Sequence, residues 1–432
     1  MTKHRYGALH VQRHFPRLLR KLNEDCAMAA SSLDNLLETE SRERSTLRMG
    51  EVEALRLVVG VTSDQTCLVL AGRLRALRLA GFHVTVVASP GEMLDQTVAA
   101  EGVTAYPIRM KRGIAPISDL LSLLAIVGML LRVRPAITDF STPKAGLLGN
   151  LAAWALRVPH RVYTLRGLKL ESSRGLKLHL LLWLERLSAR CAHVVLCNST
   201  SLRDVARAMG IAPVEKLKLL GHGSSNGVDT QRYAPGPAEA REWLIIPQGE
   251  PVVGFVGRLT NDKGVPELLV AFEAILRQVP DCWLLLVGWF DGSEDALHEE
   301  WRELIAGHPR IRHTGYVKDT APYYRSMDVM ILPTHREGFP NAALEAAASG
   351  VPVITTESTG ARDAVLSEVT GLLIPPRIPE AIAEAALELL CDEAKRKRMG
   401  EAARAWAVER YSHERVLGLA VDFYRETINR RA

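Results

Sequence analysis

From Leu55 onward the chain repeats one unit, a short run of continuous apolar and β-branched residues followed by an amphipathic stretch. The first series places strands at 55–62 (LRLVVGVT), 83–89, just after Pro135, at 160–166 and at 193–199. Leu68, Leu70, Leu74, Leu77 and Leu79 mark a helix after the first of them. A second series predicts strands at 252–258, 283–288, 311–317, 329–333 and 351–356. Strands that are apolar at every position need cover on both faces, which a parallel sheet with helices on both sides supplies. Periodicity stops between the series, where residues 221–237 (GHGSSNGVDTQRYAPGP) gather the turn formers of a linker. The expected fold is α/β, two doubly wound Rossmann-like domains facing an inter-domain cleft. The boundaries implied are 51–232 and 233–411, with an amphipathic helix in 412–432 packing back toward the first domain. Residues 1–50 are polar, with a short amphipathic stretch at Phe15–Leu22 and no strand pattern. They read as a poorly ordered or partly helical extension, with the folded domain starting near Met49-Gly50.

Composition narrows the class. Six cysteines in 432 residues, with no C-x-x-C, give neither a zinc site nor a disulfide framework. The longest near-apolar run, Leu120–Leu131, is shorter than the roughly 20 residues a membrane span needs, and no signal sequence opens the chain. A cytoplasmic location is expected. The net charge of +5 conceals a division: +3 for residues 1–50, +10 for 51–235 and −8 for 236–432. In the basic half, cations gather at Arg109, Lys111 and Arg112, and again at Arg166, Lys169, Arg174, Lys177, Arg186 and Arg190. The second group flanks Leu178–Leu187, which contains Trp183, and such a helix suits the surface of an anionic membrane. Packing on its own sheet is the competing reading. No aromatic array interleaves the cations, so a nucleic-acid partner is not expected.

Two segments carry chemistry. In 254–264 (GFVGRLTNDKG) a strand ends at Gly257 and presents Arg258 and Lys263 before a helix near Pro266. Two cations on a glycine-bounded loop at the carboxyl end of a strand suit a diphosphate. In 330–350 a strand runs to Pro333, Pro340 stands at the first position of a helix, and Gly350 closes it. Glu337 then lies in the loop and Glu345 in the helix, beside backbone N–H groups of Gly338, Phe339 and Asn341 that a helix start leaves free.

Together these segments resemble the retaining glycosyltransferases of family 4, which have the GT-B fold. The resemblance rests on Gly257-Arg258-Leu259…Lys263-Gly264 and on the Glu-x₇-Glu pair Glu337…Glu345. The stretches 142–149 (TPKAGLLG), 223–229 (GSSNGVD) and 355–365 (TTESTGARDAV) are similar to its branch that builds capsules, exopolysaccharides and lipid-linked oligosaccharides. It covers about residues 55–430, in the expected order. It implies a nucleotide-sugar donor, UDP-linked in particular, with Arg258 and Lys263 neutralising the diphosphate and Glu345 holding the ribose. Glu337, with the backbone of Gly338, Phe339, Pro340 and Asn341, would contact the transferred sugar. The acceptor would be a saccharide or a lipid-linked sugar, and no metal or other cofactor is expected; the chain has no Asp-x-Asp motif. It departs from the family in the loop after the first strand, Val61–Gln65, which lacks paired glycines, and at Thr164-Leu165-Arg166-Gly167, where members place a histidine. Asp139 and Arg166, both expected at strand ends, and Lys144 are the acceptor-side candidates; Arg166 cannot act as a base because it keeps its proton. The rival readings are a sugar-nucleotide epimerase on the same fold, a non-catalytic partner subunit, and a hydrolase using Ser225 in a G-x-S-x-G pattern. The last lacks the helix that must follow such a serine.

Overall fold

The computed structural model describes residues 55–429 except 112, 114, 293 and 294. The expectations for residues 1–50, for the Met49-Gly50 boundary and for Arg112 lie outside the described residues. Seven parallel strands form the first sheet: β1 (Arg56–Gly60), β2 (His83–Ala88), β3 (Thr104–Pro107), β4 (Ile137–Ser141), β5 (His160–Leu165), β6 (Val194–Cys197) and β7 (Leu217–Leu219). Their order is β3-β2-β1-β4-β5-β6-β7. Six parallel strands form the second: β8 (Val252–Val256), β9 (Trp283–Val287), β10 (Ile311–His313), β11 (Val329–Leu332), β12 (Val353–Thr356) and β13 (Gly371–Ile374). Their order is β10-β9-β8-β11-β12-β13. In each sheet the order reverses beside the first strand, at β1/β4 and at β8/β11, and such reversals open the crevice that binds ligands in doubly wound folds.

Every position of β8, β9, β11 and β12 is buried, as continuous apolar runs require. The strands absent from the sequence reading, β3, β7 and β13, all lie at sheet edges. There only part of each strand is covered; Thr104 and Pro107 of β3 are exposed.

The first sheet carries α1 (Arg73–Leu79), α2 (Glu92–Glu101), α3 (Pro116–Val133), α4 (Pro143–Ala155), α5 (Gly175–Cys191) and α6 (Thr200–Ala208). The leucine-marked helix of 68–79 is in fact two pieces, a 3₁₀ segment over Asp64–Leu70 and then α1, separated by Gly72 at a φ of 76°. The second sheet carries α7 (Glu239–Trp243), α8 (Val265–Gln278), α9 (Glu299–Gly307), α10 (Ala321–Tyr324), α11 (Asn341–Ala348), α12 (Pro379–Cys391) and α13 (Glu393–Tyr411). In α8, Val265, Leu268, Leu269, Phe272 and Ile275 follow the helical repeat and all are buried against the sheet. The last helix, α14 (His413–Asn429), crosses back and packs on α1.

The chain passes between the two sheets twice, and the two passages lie side by side. Val228 N–H donates to the Tyr411 carbonyl at 2.7 Å and His413 N–H to the Val228 carbonyl at 2.9 Å. Gly227 makes this possible: a Cβ there would lie 2.3 Å from the Tyr411 oxygen.

Candidate functional site

The donor-side residues sit where β8, β9 and β11 end. Gly257 donates its N–H to the Val287 carbonyl at 2.9 Å, and a Cβ on the facing Gly288 would lie 1.8 Å from the Gly257 oxygen. The backbone therefore forms a floor with no side chain above it. Arg258 follows directly and pairs with Asp291, beyond the end of β9. Lys263 ends a 3₁₀ turn, Asn261–Lys263, and pairs with Glu337 in the loop after β11. Both cations assigned to a diphosphate thus have a carboxylate partner, and the turn before α8 and the loop before α11 are joined by one of those pairs.

A second layer fixes this arrangement. The Thr260 hydroxyl donates to Asp262 at 2.6 Å and Arg336 lies 3.3 Å from the same carboxylate. Burial pushes the Asp262 carboxyl up, but the Thr260 hydrogen bond and the Lys263 and Arg336 cations outweigh it and hold the group below the usual range. His335 contacts Glu267 of α8 at 2.9 Å. Pro340 is the cap residue before α11 rather than its first helical residue, with φ −80° and ψ 109°. Its own nitrogen carries no hydrogen, so the N–H groups at this helix start are those of Gly338, Phe339, Asn341 and Ala342. The Phe339 ring is buried against Tyr411, 5.3 Å between centroids, so only its backbone faces the loop.

Glu345, one residue beyond the middle of α11, accepts from the Tyr324 hydroxyl at 2.9 Å. Burial raises its carboxyl above the ordinary value, and the hydrogen bond from Tyr324 and the Arg232 charge oppose that rise. The Tyr233 hydroxyl, 3.0 Å from Thr320, completes a ring of hydroxyls beside it. Sequence reasoning missed Tyr233, Thr320 and Tyr324; the only trace is the Tyr323-Tyr324 pair before β11. It also missed Asp291, which has no signal beyond its place after a strand.

Across the cleft, Arg166 stands at the end of β5, and its carbonyl abuts the donor loop: a Cβ on Gly338 would lie 2.2 Å from that oxygen. Its guanidinium donates to Ser141 Oγ at 3.0 Å and Ser225 Oγ at 2.7 Å. Asn198 also donates to Ser225 Oγ, at 2.8 Å. Ser225 is therefore held by two donors and faces no base, and no helix follows it, which removes the hydrolase reading.

Asp139 is not at a strand end. It is the third residue of β4, buried, accepting from Thr164 Oγ1 at 2.6 Å and from the Tyr424 hydroxyl of α14. Both oxygens are engaged, so it serves as a tie between β5 and α14 rather than as a group open to substrate. Lys144, in α4, is likewise occupied by Asp119 of α3 at 2.5 Å and by the Gly113 carbonyl. Of the three acceptor-side candidates, the fold brings only Arg166 to the donor loop.

The motifs without an assigned task join the two halves. Thr359 donates to Glu171 at 2.5 Å, Gly360 N–H donates to Ser201 Oγ at 2.7 Å, and Ser201 N–H donates to Asp363 at 3.0 Å. Among the described residues, no group of three or more His, Cys, Asp or Glu converges to hold a metal ion.

The chain is similar to known proteins along both halves. Residues 238–406 match the family "Glycosyl transferases group 1", and residues 69–222 match "Glycosyl transferase 4-like domain". The capsular polysaccharide biosynthesis glycosyltransferase CapM of Staphylococcus aureus is 34% identical over 355 residues, 82% of this chain and 92% of CapM. The UDP-Gal:alpha-D-GlcNAc-diphosphoundecaprenol alpha-1,3-galactosyltransferase of Escherichia coli is 27% identical, over 66% of this chain and 72% of its own. Among solved structures, Anabaena HepE in complex with UDP-glucose superposes with a TM-score of 0.71 at 19% identity, covering 86% of this chain and all of HepE, a likeness of fold.

Proposed function

We propose a function for a chain that belongs to the group 1 glycosyltransferases, the retaining GT4 family with the GT-B fold: it moves a hexosyl group from a UDP-linked sugar to a lipid-linked saccharide in the synthesis of a surface polysaccharide. The observation that carries this reading is the pairing of Arg258 with Asp291 and of Lys263 with Glu337 at the β8/β11 crevice, opposite Arg166.

On this reading, phosphate oxygens of the donor replace the two carboxylates on the two cations. Such exchange stabilises the departing diphosphate, since charge-assisted contacts in a desolvated crevice gain strength as negative charge develops. Glu337, released from Lys263, turns its carboxylate to hydroxyls of the transferred sugar, and the N–H groups at the start of α11 hold the sugar's other polar atoms. Glu345 takes the ribose hydroxyls, in place of or beside the hydroxyl of Tyr324. The leaving group departs from the same face on which the acceptor enters, so configuration is retained. Catalysis then rests on positioning and charge.

A lipid-linked acceptor is supported by the outer surface of the first domain. α3 is 18 residues long and apolar enough to cross a membrane by length and composition. The sequence reading, which counted only Leu120–Leu131, understated it. Yet Ile126, Met129 and Leu130 bury one face on the sheet, between strands that pair through β1 and β2, so spanning would dissolve the sheet. Its other face exposes Ile117, Leu120, Leu121, Leu124 and Leu131. α4 adjoins it with Trp154, and α5 adds Leu176, Leu180 and Trp183. Exposed cations border this face at Arg109, Lys111, Arg132, Arg134, Arg174 and Lys177. This apolar face with a basic rim rests on an anionic membrane, the inner face of the cytoplasmic membrane on this reading. α3, not α5 alone, carries most of the contact.

A panel of UDP-, GDP- and TDP-sugars, read by ligand-detected NMR, tests the donor. Binding of UDP-sugars, lost in Lys263→Ala, supports the reading; failure of every nucleotide sugar to bind sinks it. Conversion of the donor with no acceptor present would favour the epimerase.

A further inference from the structure

At the N-terminal wall of the cleft two guanidinium groups, Arg73 buried and Arg166 half-buried, lie near the carboxylate of Asp139. Arg73 is 3% exposed and donates to the Tyr424 hydroxyl at 3.1 Å. Tyr424 in turn donates to Asp139, whose other oxygen is taken by Thr164. Arg166 lies within the electrostatic reach of Arg73, Asp139 and Tyr424. Glu101, the next acid along, caps the start of α1, accepting from the backbone N–H groups of Gly72 at 3.0 Å and Arg75 at 2.8 Å. The two acids of this wall, Asp139 and the buried Glu101, thus have their oxygens taken by hydroxyls and backbone N–H groups, so neither is bonded directly to a guanidinium.

Three further observations say that an anion belongs there. Arg73 Nε is buried with no hydrogen-bond partner. Arg166 gives its Nε and Nη1 donors to the hydroxyls of Ser141 and Ser225, neutral groups; Ser141 passes its own proton to the Gly60 carbonyl at 3.4 Å, and Ser225 can turn its proton toward an incoming oxygen. Burial and the neighbouring Arg73 charge push Arg166 down to about 10, against the pull of Asp139, so it remains a cation at neutral pH and gains from an added negative charge. The donor cations are in the opposite condition, each already beside a carboxylate.

We propose that Arg166, with Ser141, Ser225 and Asn198 around it and Arg73 behind it, forms a second phosphate site that takes the diphosphate of the acceptor. The inference rests on the reading of the chain as a transferase with a lipid-diphosphate-linked acceptor. A planar guanidinium at the cleft wall grips a phosphate by two parallel hydrogen bonds. Its place beside Gly338 then sets the first sugar of the acceptor next to the transferred sugar. Tyr424 and Asp139 are positioning residues for this cation, since they touch Arg73 and β5 rather than the ligand.

The test uses the full chain with UDP at saturation, so that the donor site is filled, and titrates in inorganic pyrophosphate by calorimetry. Wild-type protein is expected to bind one further pyrophosphate. Arg166→Gln is expected to weaken it about tenfold or more and Arg166→Lys about threefold, with UDP affinity within about twofold of wild type in both. Ser225→Ala, which keeps the cation, gives a smaller loss in the same direction. Farnesyl diphosphate competing with the pyrophosphate, where farnesol does not, ties the site to a lipid diphosphate. An unchanged pyrophosphate affinity in Arg166→Gln overturns the site and leaves the transferase reading standing. A matching loss of UDP affinity assigns Arg166 to the donor and also overturns it. Wild-type protein that binds no nucleotide at all contradicts the transferase reading itself.

Discussion

The two halves hold several of their carboxyl groups with different partners. In the second half, Asp262, Glu267 and Asp319 sit beside cations or an imidazole and are held below their usual range despite burial. In the first half, three carboxyls are bonded to hydroxyls instead: Glu185 accepts from Tyr163 at 2.6 Å, Asp139 from Thr164 and Tyr424, and Glu171 from Thr359. Burial pushes Glu185 up to about 7 and raises Glu171, with the hydroxyl bonds working against it. Acids tied to hydroxyls, as Asp139 is, leave a nearby cation such as Arg166 for a partner outside the chain. At the second half's crevice, where Arg258 and Lys263 each sit on a carboxylate, the ion pairs must open to admit a charged ligand.

The largest effect expected concerns those pairs. Lys263→Ala and Glu337→Gln should each lower kcat by roughly 10²–10³, the size seen when one preorganised charge contact at the reacting centre is lost. Steady-state kinetics with saturating donor and acceptor measures it; a drop below tenfold would mean the pair is structural.

Next comes pH. Because Glu185 is raised to about 7, its contribution to stability is fully present below an unfolded value near 4.5 and is lost as pH rises through 7. Glu185→Gln should therefore unfold at higher denaturant than wild type at pH 8, by up to about 3 kcal/mol, and match it near pH 4.5. Asp262→Asn should show the reverse pattern. Its folded value is depressed, so the wild-type advantage exists above the usual carboxylate range and disappears as pH falls. Parallel profiles for the two variants would erase the contrast between the halves.

A smaller effect follows from the tie to the last helix. Tyr424→Phe removes a donor from the buried Asp139 and an acceptor from Arg73 and should cost about 1–3 kcal/mol in chemical unfolding. No change would show that water or another group replaces the hydroxyl.

Much of this was legible before any coordinates. The interior strands announced themselves by continuous apolar runs, and Arg258, Lys263, Glu337 and Glu345 by their places after predicted strands or in a predicted helix. Edge strands such as β3, half covered, lack that signature. Asp139 and Tyr424 are 285 residues apart, and no local pattern links them. Asp139, placed at a strand end, and Lys144 are acceptor-side candidates from the sequence for this reason. The pairing of Arg258 with Asp291 was hidden for the same reason: it depends on two loops meeting, which spacing along the chain does not record.

The central claim is retaining transfer from a nucleotide sugar to a lipid-linked saccharide. Its most direct test is NMR of the product formed from an α-configured UDP-sugar and a polyprenyl-diphosphate-linked sugar. A new α-anomeric linkage, formed only when both substrates are present and absent with Glu337→Gln, is the result expected here. A β-linkage, or donor turnover that ignores the acceptor, would contradict it.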